Sequence, residues 1–181
     1  MAFVTILTRH LPARRALLER QQLSLRQQSD ADYTQRVLVD EQARGFLYSW
    51  QMLIEAAKHI ADDYVLILDD DDYILETDAI AILKLTAEGA PPVIIFKGGH
   101  AELGVLPRVA WGERPVMGDI GSFDFILRAD VFRACVGAPT DTAYAHDYAI
   151  IAEAYDRHAE AVVWLDAVLC GADKRRIGQE A

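Results

Sequence analysis

Residues 64–73 read Tyr64-Val-Leu-Ile-Leu-Asp69-Asp-Asp-Asp72-Tyr73. The apolar part is typical of a strand buried in a sheet, and four consecutive aspartates follow its carboxyl end. Open α/β sheets bind their ligands just beyond the carboxyl ends of their strands. Carboxylate oxygens are also the ligands that hard divalent cations prefer. The pattern therefore indicates a metal-assisted site for a phosphorylated ligand, and an exposed acidic loop that binds nothing is the alternative.

Strands and helices are predicted to alternate on both sides of this run. Apolar patterns predict strands at 2–7, 36–40, 64–68, 93–97, 123–127 and 161–168, and helices at 12–28, 43–61, 77–87, 129–135 and 146–157. In the first helix, Leu17, Leu18 and Leu25 are expected to face inward. Such alternation predicts the α/β class, as a single three-layer α/β/α domain with a mostly parallel central sheet.

The order of the elements places several polar and charged residues at one edge of that sheet. Right-handed crossovers place the carboxyl ends of the first three strands side by side. Thr8, Arg9, Asp40 and the four aspartates are therefore expected to share one crevice. Residues 98–122 carry little periodicity and are rich in glycine and proline, which is typical of a long functional or mobile loop.

Composition excludes several classes of function. The 181 residues suffice for one domain, and the net charge of −10 argues against broad binding to nucleic acids or anionic membranes. Cys135 and Cys170 form no zinc or CxxC pattern and are expected to be buried, reduced thiols. The sequence contains no pattern of a signal peptide or a transmembrane segment, so a cytoplasmic location is expected.

Known catalytic motifs narrow the choice further. The sequence contains no GxxxxGK[ST] phosphate loop, no GxGxxG fingerprint, no GxSxG elbow and no HExxH. The spacing Asp69-x-Asp71 after a strand fits two classes of phosphate-handling enzyme. The first is the haloacid-dehalogenase phosphatases, whose signature has Thr or Val two residues after the second aspartate, where this chain has Tyr73. The second is the nucleotide-sugar glycosyltransferases.

Several further motifs resemble those of family 2 glycosyltransferases with the GT-A fold, which is Rossmann-like. The first group comprises Thr8-Arg9, Leu17-Leu18, Gln27-Gln28, Val39-Asp40 and Leu68-Asp69-Asp70-Asp71-Asp72. The second comprises Phe125-Ile-Leu-Arg128-Ala-Asp-Val-Phe132, Val136-Gly137, Asp141 and His146-Asp147-Tyr148. The resemblance covers roughly residues 2–168. It implies a single domain over 1–181, with a nucleotide-sugar donor half (1–97), an acceptor half (98–168) and a tail (169–181).

The resemblance also implies roles for residues of the donor half. Thr8, Arg9, Asp40, Asp69 and Asp70 would bind the nucleotide-sugar, with Asp40 accepting a hydrogen bond from the base. Asp69 would meet the ribose or the metal. Asp71 would coordinate a Mn²⁺ or Mg²⁺ ion that bridges the diphosphate.

In the acceptor half, the resemblance implies that Asp147 is the catalytic base. Separately, an aromatic face suits the apolar side of a sugar ring, so the segment around Trp111 is expected to close over the sugar; packing of Trp111 in the core or at an interface is the alternative. The chain departs from the family pattern at His146, where an acid usually precedes the base. The basic stretch Lys174-Arg175-Arg176 would either steady the diphosphate or take no part in binding.

The leading hypothesis is a metal-dependent, inverting glycosyltransferase that moves a sugar from a nucleotide-diphospho-sugar to an acceptor hydroxyl. One alternative is a Mg²⁺-dependent phosphatase or nucleotidyltransferase that uses Asp69 and Asp71. Another is a catalytically silent module that binds a nucleotide-sugar or a protein partner.

Overall fold

The computed structural model describes residues 1–108, 111–138 and 146–173. Its strands are β1 (Val4–His10), β2 (Tyr33–Val39), β3 (Tyr64–Ile67), β4 (Asp72–Ile74), β5 (Val93–His100), β6 (Gly104–Leu106), β7 (Phe125–Arg128) and β8 (Val162–Ala172). Its helices are α1 (Arg15–Arg26), α2 (Phe46–Ala57), α3 (Ala79–Thr86), α4 (Ala129–Cys135) and α5 (His146–His158). Short 3₁₀ turns occupy Pro12–Arg14, Ser122–Asp124 and Ala159–Ala161.

All eight strands belong to one sheet. The order across it is β2-β1-β3-β7-β5-β8-β4, with β6 paired to β5. Strands β1, β2, β3, β5 and β8 run in one direction, and β4, β6 and β7 run against them. The sheet is therefore mostly parallel, as predicted. Because β1 lies between β2 and β3, the carboxyl ends of these three strands meet at one edge.

Two hydrophobic cores lie on opposite faces of the sheet. One face packs against α2, α4 and α5 through residues such as Leu53, Phe132 and Ile151. The other face packs against α1 and α3 through Leu25 and Ile80. Strands covered on both faces bury successive positions, which explains why every residue of β1 and β3 is buried and why β3 is apolar throughout. The three-layer α/β/α prediction is confirmed.

The strand after the acidic run is one that the sequence analysis missed. Asp72–Ile74 forms β4, which pairs antiparallel with the end of β8, and β8 continues to Ala172 instead of ending at 168. Local apolarity could not predict this pairing, because β4 begins with a charged residue. Gly171 allows the close approach, since a Cβ there would lie 3.0 Å from the Tyr73 ring.

The prediction of one long loop over 98–122 was wrong for residues 98–106. Strand β5 continues to His100 and turns back into β6. Position 98 of this strand requires glycine, because a side chain there would collide with Asp124 and Phe123. Gly98 and Gly99 have no side chains and thus no hydrophobic pattern, so sequence periodicity could not reveal that β5 continues through them.

Smaller differences concern helix ends and burial. Helix α2 begins at Phe46 and not at 43, because Ala43 and Gly45 adopt positive φ angles of 49° and 89°. In α1, Leu25 is buried as predicted, whereas Leu17 and Leu18 are only half-buried. Cys135 and Cys170 are buried free thiols, as expected. None of the helices in residues 1–108, 111–138 and 146–173 is long and apolar enough to cross a bilayer.

Candidate active site

A cavity of about 760 Å³ opens at the edge where β1, β2 and β3 end. Its walls come from the β1–α1 connection, the β2–α2 connection, the first three of the aspartates 69–72 (the acidic run), the β5–β6 hairpin and the start of α5. Its lining includes six of the predicted site residues: Arg9, Asp40, Asp69, Asp70, Asp71 and Asp147. The topology thus brings together residues that lie up to 138 positions apart in the chain.

Three carboxylates of the acidic run form a cluster that suits a metal ion. One oxygen from each of Asp69, Asp71 and Asp72 lies within 4.8 Å of the other two. The Asp72 carboxylate accepts a hydrogen bond from the backbone N–H of Asp69 at 3.0 Å, which closes the turn of the run. An all-oxygen donor set of this kind fits Mg²⁺ or Mn²⁺. Asp72, which is fully buried, is a third candidate ligand beside Asp69 and Asp71, the two predicted from the sequence.

Asp70 is bonded to the β1–α1 connection. It is 2% exposed and accepts hydrogen bonds from His10 Nδ1 at 2.9 Å, from the Leu11 backbone N–H at 3.2 Å and from Arg14 Nη1 at 3.1 Å. These bonds fasten the acidic run to the β1–α1 connection. The predicted contact of Asp70 with a nucleotide-sugar stays a prediction.

Arg9 lies between the acidic run and Asp147. Its Nε and Nη2 donate to the two oxygens of Asp69 at 2.6 and 2.7 Å, and Nη2 also reaches Asp147 at 3.3 Å. Burial alone would lower the pKa of Arg9, but the carboxylates of Asp147 and Asp69 outweigh burial and raise it. Arg9 is therefore a permanent cation between two acids.

Gln21 supports the acidic run from beneath the cavity. This fully buried side chain donates through Nε2 to the backbone oxygens of Leu68 at 2.6 Å and Asp69 at 2.8 Å. Its Oε1 accepts from Gln35 at 2.7 Å and from Thr8 at 3.3 Å. Thr8, predicted to line the nucleotide pocket, is fully buried in this layer and is not among the lining residues. The sequence signal for Gln21 was its position one helical turn before the buried Leu25.

Two further arginines, which the sequence analysis did not single out, contact the acidic run. Arg14 lies 3.6 Å from the Asp71 carboxylate, and Arg20 donates to the Asp71 backbone oxygen at 3.0 Å. The Arg20 guanidinium also lies 4.5 Å from the centre of the Tyr73 ring. Burial would lower the pKa of Arg14, but the charges of Asp71 and Asp70 raise it.

Asp40 both closes a turn and lines the cavity. Its carboxylate is 1% exposed and accepts bonds at 3.3 Å from the backbone N–H groups of Gln42 and Gly45 and from Arg44 Nε. Burial would raise the pKa of Asp40, but the bonds from Arg44 and the backbone lower it. The carboxylate is thus held as an anion at the β2 end.

Asp147 is positioned by the residue before it. His146 is 2% exposed, and its ring packs against Phe46 and Trp50 of α2 with centroid distances of 4.9 and 4.1 Å. Trp50 in turn donates to the Val136 backbone oxygen at 2.7 Å. The start of α5 is therefore fixed on α2, and Asp147 in its first turn lines the cavity.

Trp111 is not among the cavity-lining residues of the described chain. Its ring packs edge-on against Trp164 at 5.1 Å, and the Lys97 ammonium lies 4.7 Å from its centre. Arg114 donates to Asp156 at 2.7 Å and to the Tyr148 hydroxyl at 2.9 Å, which attaches the same segment to α5. The predicted contact of Trp111 with a sugar stays a prediction. Asp141 and Lys174-Arg175-Arg176 lie outside the described residues.

Comparisons with known proteins show the fold. No family model matches the sequence, and no curated protein matches it either. Among solved structures, S. aureus TarS in complex with UDP-GlcNAc is similar, with a TM-score of 0.72 and 16% identity over 97% of this chain and 59% of TarS. The mannosyltransferase PcManGT of Pyrobaculum calidifontis, in complex with GDP-Man and Mn²⁺, has a TM-score of 0.68 and 14% identity over 98% of this chain and 58% of its own.

A third similar structure is nearly equal to this chain in extent. It is a glycosyltransferase involved in glycosylation of the major capsid of PBCV-1, with a TM-score of 0.58 and 15% identity over 96% of this chain and 95% of its own. In contrast, the chain spans only 36% to 61% of the TarS chains that it matches. Together these likenesses confirm the predicted α/β fold, which this chain shares with glycosyltransferases of known structure.

Proposed function

We propose that this chain is a metal-dependent, inverting glycosyltransferase that uses a nucleotide-diphospho-sugar as donor. The observation that carries the proposal is that one cavity is lined by Asp69 and Asp71, two members of a three-carboxylate cluster completed by the buried Asp72, and by Asp147, an acid on the start of α5. A cation-binding site beside a second acid that can act as a base is what a sugar transfer from a diphosphate requires.

The charges of the cavity support the metal dependence. Arg9 is engaged with Asp69 and Asp147, and Arg14 with Asp70. The cations that face the cavity are thus already balanced by carboxylates. A diphosphate would therefore meet a predominantly acidic wall unless a divalent cation entered with it.

The size of the cavity supports a nucleotide-sugar. A volume of about 760 Å³ lies within the range of about 300–1,000 Å³ that is usual for small-molecule sites. Asp40, held as an anion at the β2 end, offers a hydrogen-bond acceptor that suits an N–H edge of a nucleobase. TarS and PcManGT, which share the fold, have been crystallised with UDP-GlcNAc and with GDP-Man.

The reaction then divides between two walls of the cavity. When bound at Asp69, Asp71 and Asp72, Mn²⁺ or Mg²⁺ would act as a Lewis acid that neutralises charge on the departing nucleoside diphosphate. Asp147 would accept the proton of an acceptor hydroxyl, a contribution typically of about 10²–10⁴-fold in rate. A hydroxyl activated on the side opposite the leaving group attacks with inversion at the anomeric carbon.

Calorimetry with uridine, guanosine and thymidine diphospho-sugars, with Mn²⁺ and with chelator, tests the proposal. We expect one donor class to bind only with the metal, and an acceptor screen to show release of the nucleoside diphosphate. Glu88→Gln removes the charge of an exposed acid that does not line the cavity. It is the matched control for Asp71→Asn, which removes one carboxylate of the cluster.

Two other outcomes would favour the alternatives. Release of inorganic phosphate from simple esters would indicate the phosphatase or nucleotidyltransferase. Metal-dependent donor binding without transfer to any acceptor would indicate a nucleotide-sugar-binding module.

A further inference from the structure

We propose that Arg9 couples occupation of the metal site to the placement of Asp147. Arg9 donates to both oxygens of Asp69 at 2.6 and 2.7 Å and lies farther from Asp147, at 3.3 Å. When a divalent cation binds Asp69, Arg9 loses its pair with that carboxylate, and the guanidinium then pairs with Asp147. This inference rests on the proposed function, which identifies the metal cluster and the base.

The first step follows from competition for the same oxygens. Both carboxylate oxygens of Asp69 accept from Arg9, at 2.6 and 2.7 Å, and Asp69 also belongs to the cluster with Asp71 and Asp72. A divalent cation and a guanidinium that share one carboxylate repel each other. Because Arg9 is 8% exposed, solvent screens this repulsion only weakly. Metal binding therefore weakens the pair between Arg9 and Asp69.

The second step follows from the way Nη2 is shared. This nitrogen lies 2.7 Å from Asp69 and 3.3 Å from Asp147, so Asp147 has the longer and weaker of the two bonds. Nη1 of Arg9 is buried and makes no hydrogen bond to any described residue. The guanidinium thus has an unused N–H group that can take up a new partner when Asp69 leaves.

The consequence is an order of assembly. Asp147 gains a firm partner only after the metal is bound, so the base is oriented when the donor site is filled. Arg9 is a positioning residue in this scheme, because it acts on the acceptor hydroxyl through Asp147. By reciprocity, any change at Asp147 must alter the affinity of the metal site through Arg9.

The test measures binding of Mn²⁺ alone, by calorimetry and by the electron paramagnetic resonance signal of free Mn²⁺. Four proteins are compared: the parent, Arg9→Gln, Asp147→Asn and the double variant. We expect Arg9→Gln to bind Mn²⁺ about tenfold more tightly, because the competing cation is gone. Asp147→Asn should weaken Mn²⁺ binding, since Arg9 then pairs with Asp69 alone. In the Arg9→Gln background, that weakening should shrink by about fivefold or more.

Arg14→Gln is the matched control. Arg14 also lines the cavity and pairs with acids of the same run, Asp70 and Asp71, but not with Asp147. Its removal changes the charge of the site by the same amount. Asp147→Asn should nevertheless retain its full effect on Mn²⁺ affinity in the Arg14→Gln background.

Arg9→Lys keeps the test valid if Arg9→Gln does not fold. Lysine retains the charge but lacks the planar fork that reaches two carboxylates at once. We expect the Arg9→Lys protein to bind Mn²⁺ with affinity close to that of the parent, yet to lose the link between Asp147→Asn and Mn²⁺ affinity.

The two proposals fail in different ways. Absence of Mn²⁺ binding to the parent would overturn the metal-dependent function and the coupling with it. Mn²⁺ binding that Asp147→Asn weakens equally in the parent, Arg9→Gln and Arg14→Gln backgrounds would overturn the coupling and leave the function standing.

Discussion

The cavity has two walls that are built in different ways. The strand wall, formed by the ends of β1–β3 and the acidic run, is held by buried hydrogen bonds around Gln21 and Asp70. The helix wall is the start of α5, where Asp147 lines the cavity. Ring packing at His146 fixes this wall, and the half-exposed pair of Arg114 and Asp156 attaches α5 to the segment at 111–114 behind it. Buried hydrogen bonds in a low dielectric are costly to break, whereas exposed ion pairs contribute little.

This contrast suggests a division of labour. A stiff wall suits the part of a substrate that is always the same, such as a metal–diphosphate group. A wall fixed by packing and surface contacts tolerates replacement, which suits the part that differs between enzymes. The expectation is that changes in the strand wall affect both stability and donor binding, while changes in the helix wall affect transfer.

The largest effect is expected from Asp71→Asn in the strand wall. Loss of this carboxylate leaves two acids for the cation, so metal-dependent donor binding should fall below detection and transfer should be lost. Calorimetry with donor and Mn²⁺ measures the first effect, and nucleoside diphosphate release measures the second. Donor affinity equal to that of the parent would remove Asp71 from the metal site.

Asp147→Asn should distinguish the roles of the two walls most clearly, because it should affect transfer far more than donor binding. The amide cannot accept a proton from the acceptor, so we expect kcat to fall by about 10²–10⁴-fold while donor affinity in the presence of Mn²⁺ changes far less. Steady-state kinetics and calorimetry on the same preparation give both numbers. If transfer is unchanged, Asp147 is not the base, and the helix wall has no catalytic role.

Gln21→Met should weaken the strand wall without removing a ligand. The backbone oxygens of Leu68 and Asp69 would lose a buried donor, which costs about 1–3 kcal/mol of unfolding free energy. Chemical denaturation measures this loss, and the exposed Gln51→Met is the control for the substitution itself. We also expect weaker Mn²⁺ binding, because the start of the acidic run is no longer fixed. Full stability would show that the wall does not depend on this network.

The same contrast explains what the sequence could and could not predict. Apolar runs located β1, β3 and β5, and the rules of crossover handedness placed Arg9, Asp40 and the acidic run at one edge. The sequence could not tell which of the four adjacent aspartates bonds to the β1–α1 connection. That choice is made by His10, Leu11 and Arg14, which bond Asp70 from some 56–60 positions away. Long-range hydrogen bonds of this kind leave no periodic signal.

The helix wall was harder to predict for a different reason. Trp111 was expected at the sugar because aromatic faces suit sugar rings, and that contact stays a prediction. Its packing against Trp164, which no sequence pattern indicated, depends on where β8 lies beside β5. The hairpin of β5 and β6 and the pairing of β4 with β8 also depend on tertiary contacts. Glycines and a charged residue occupy those strands, and such residues lack the alternation on which strand prediction depends.

The smallest effect is expected from Arg114→Ala on the helix wall. Arg114 and Asp156 are each about half exposed, so their pair should contribute at most about 1 kcal/mol to unfolding. The bond from Arg114 lowers the pKa of Asp156, so the contribution is present at neutral pH and is lost as the pH falls through the folded-state pKa of Asp156. Denaturation of parent and variant should therefore differ slightly at pH 7 and converge in acid. Donor affinity should stay constant, since the pair lies outside the strand wall. A large loss of donor binding in Arg114→Ala would show that donor binding depends on this exposed pair.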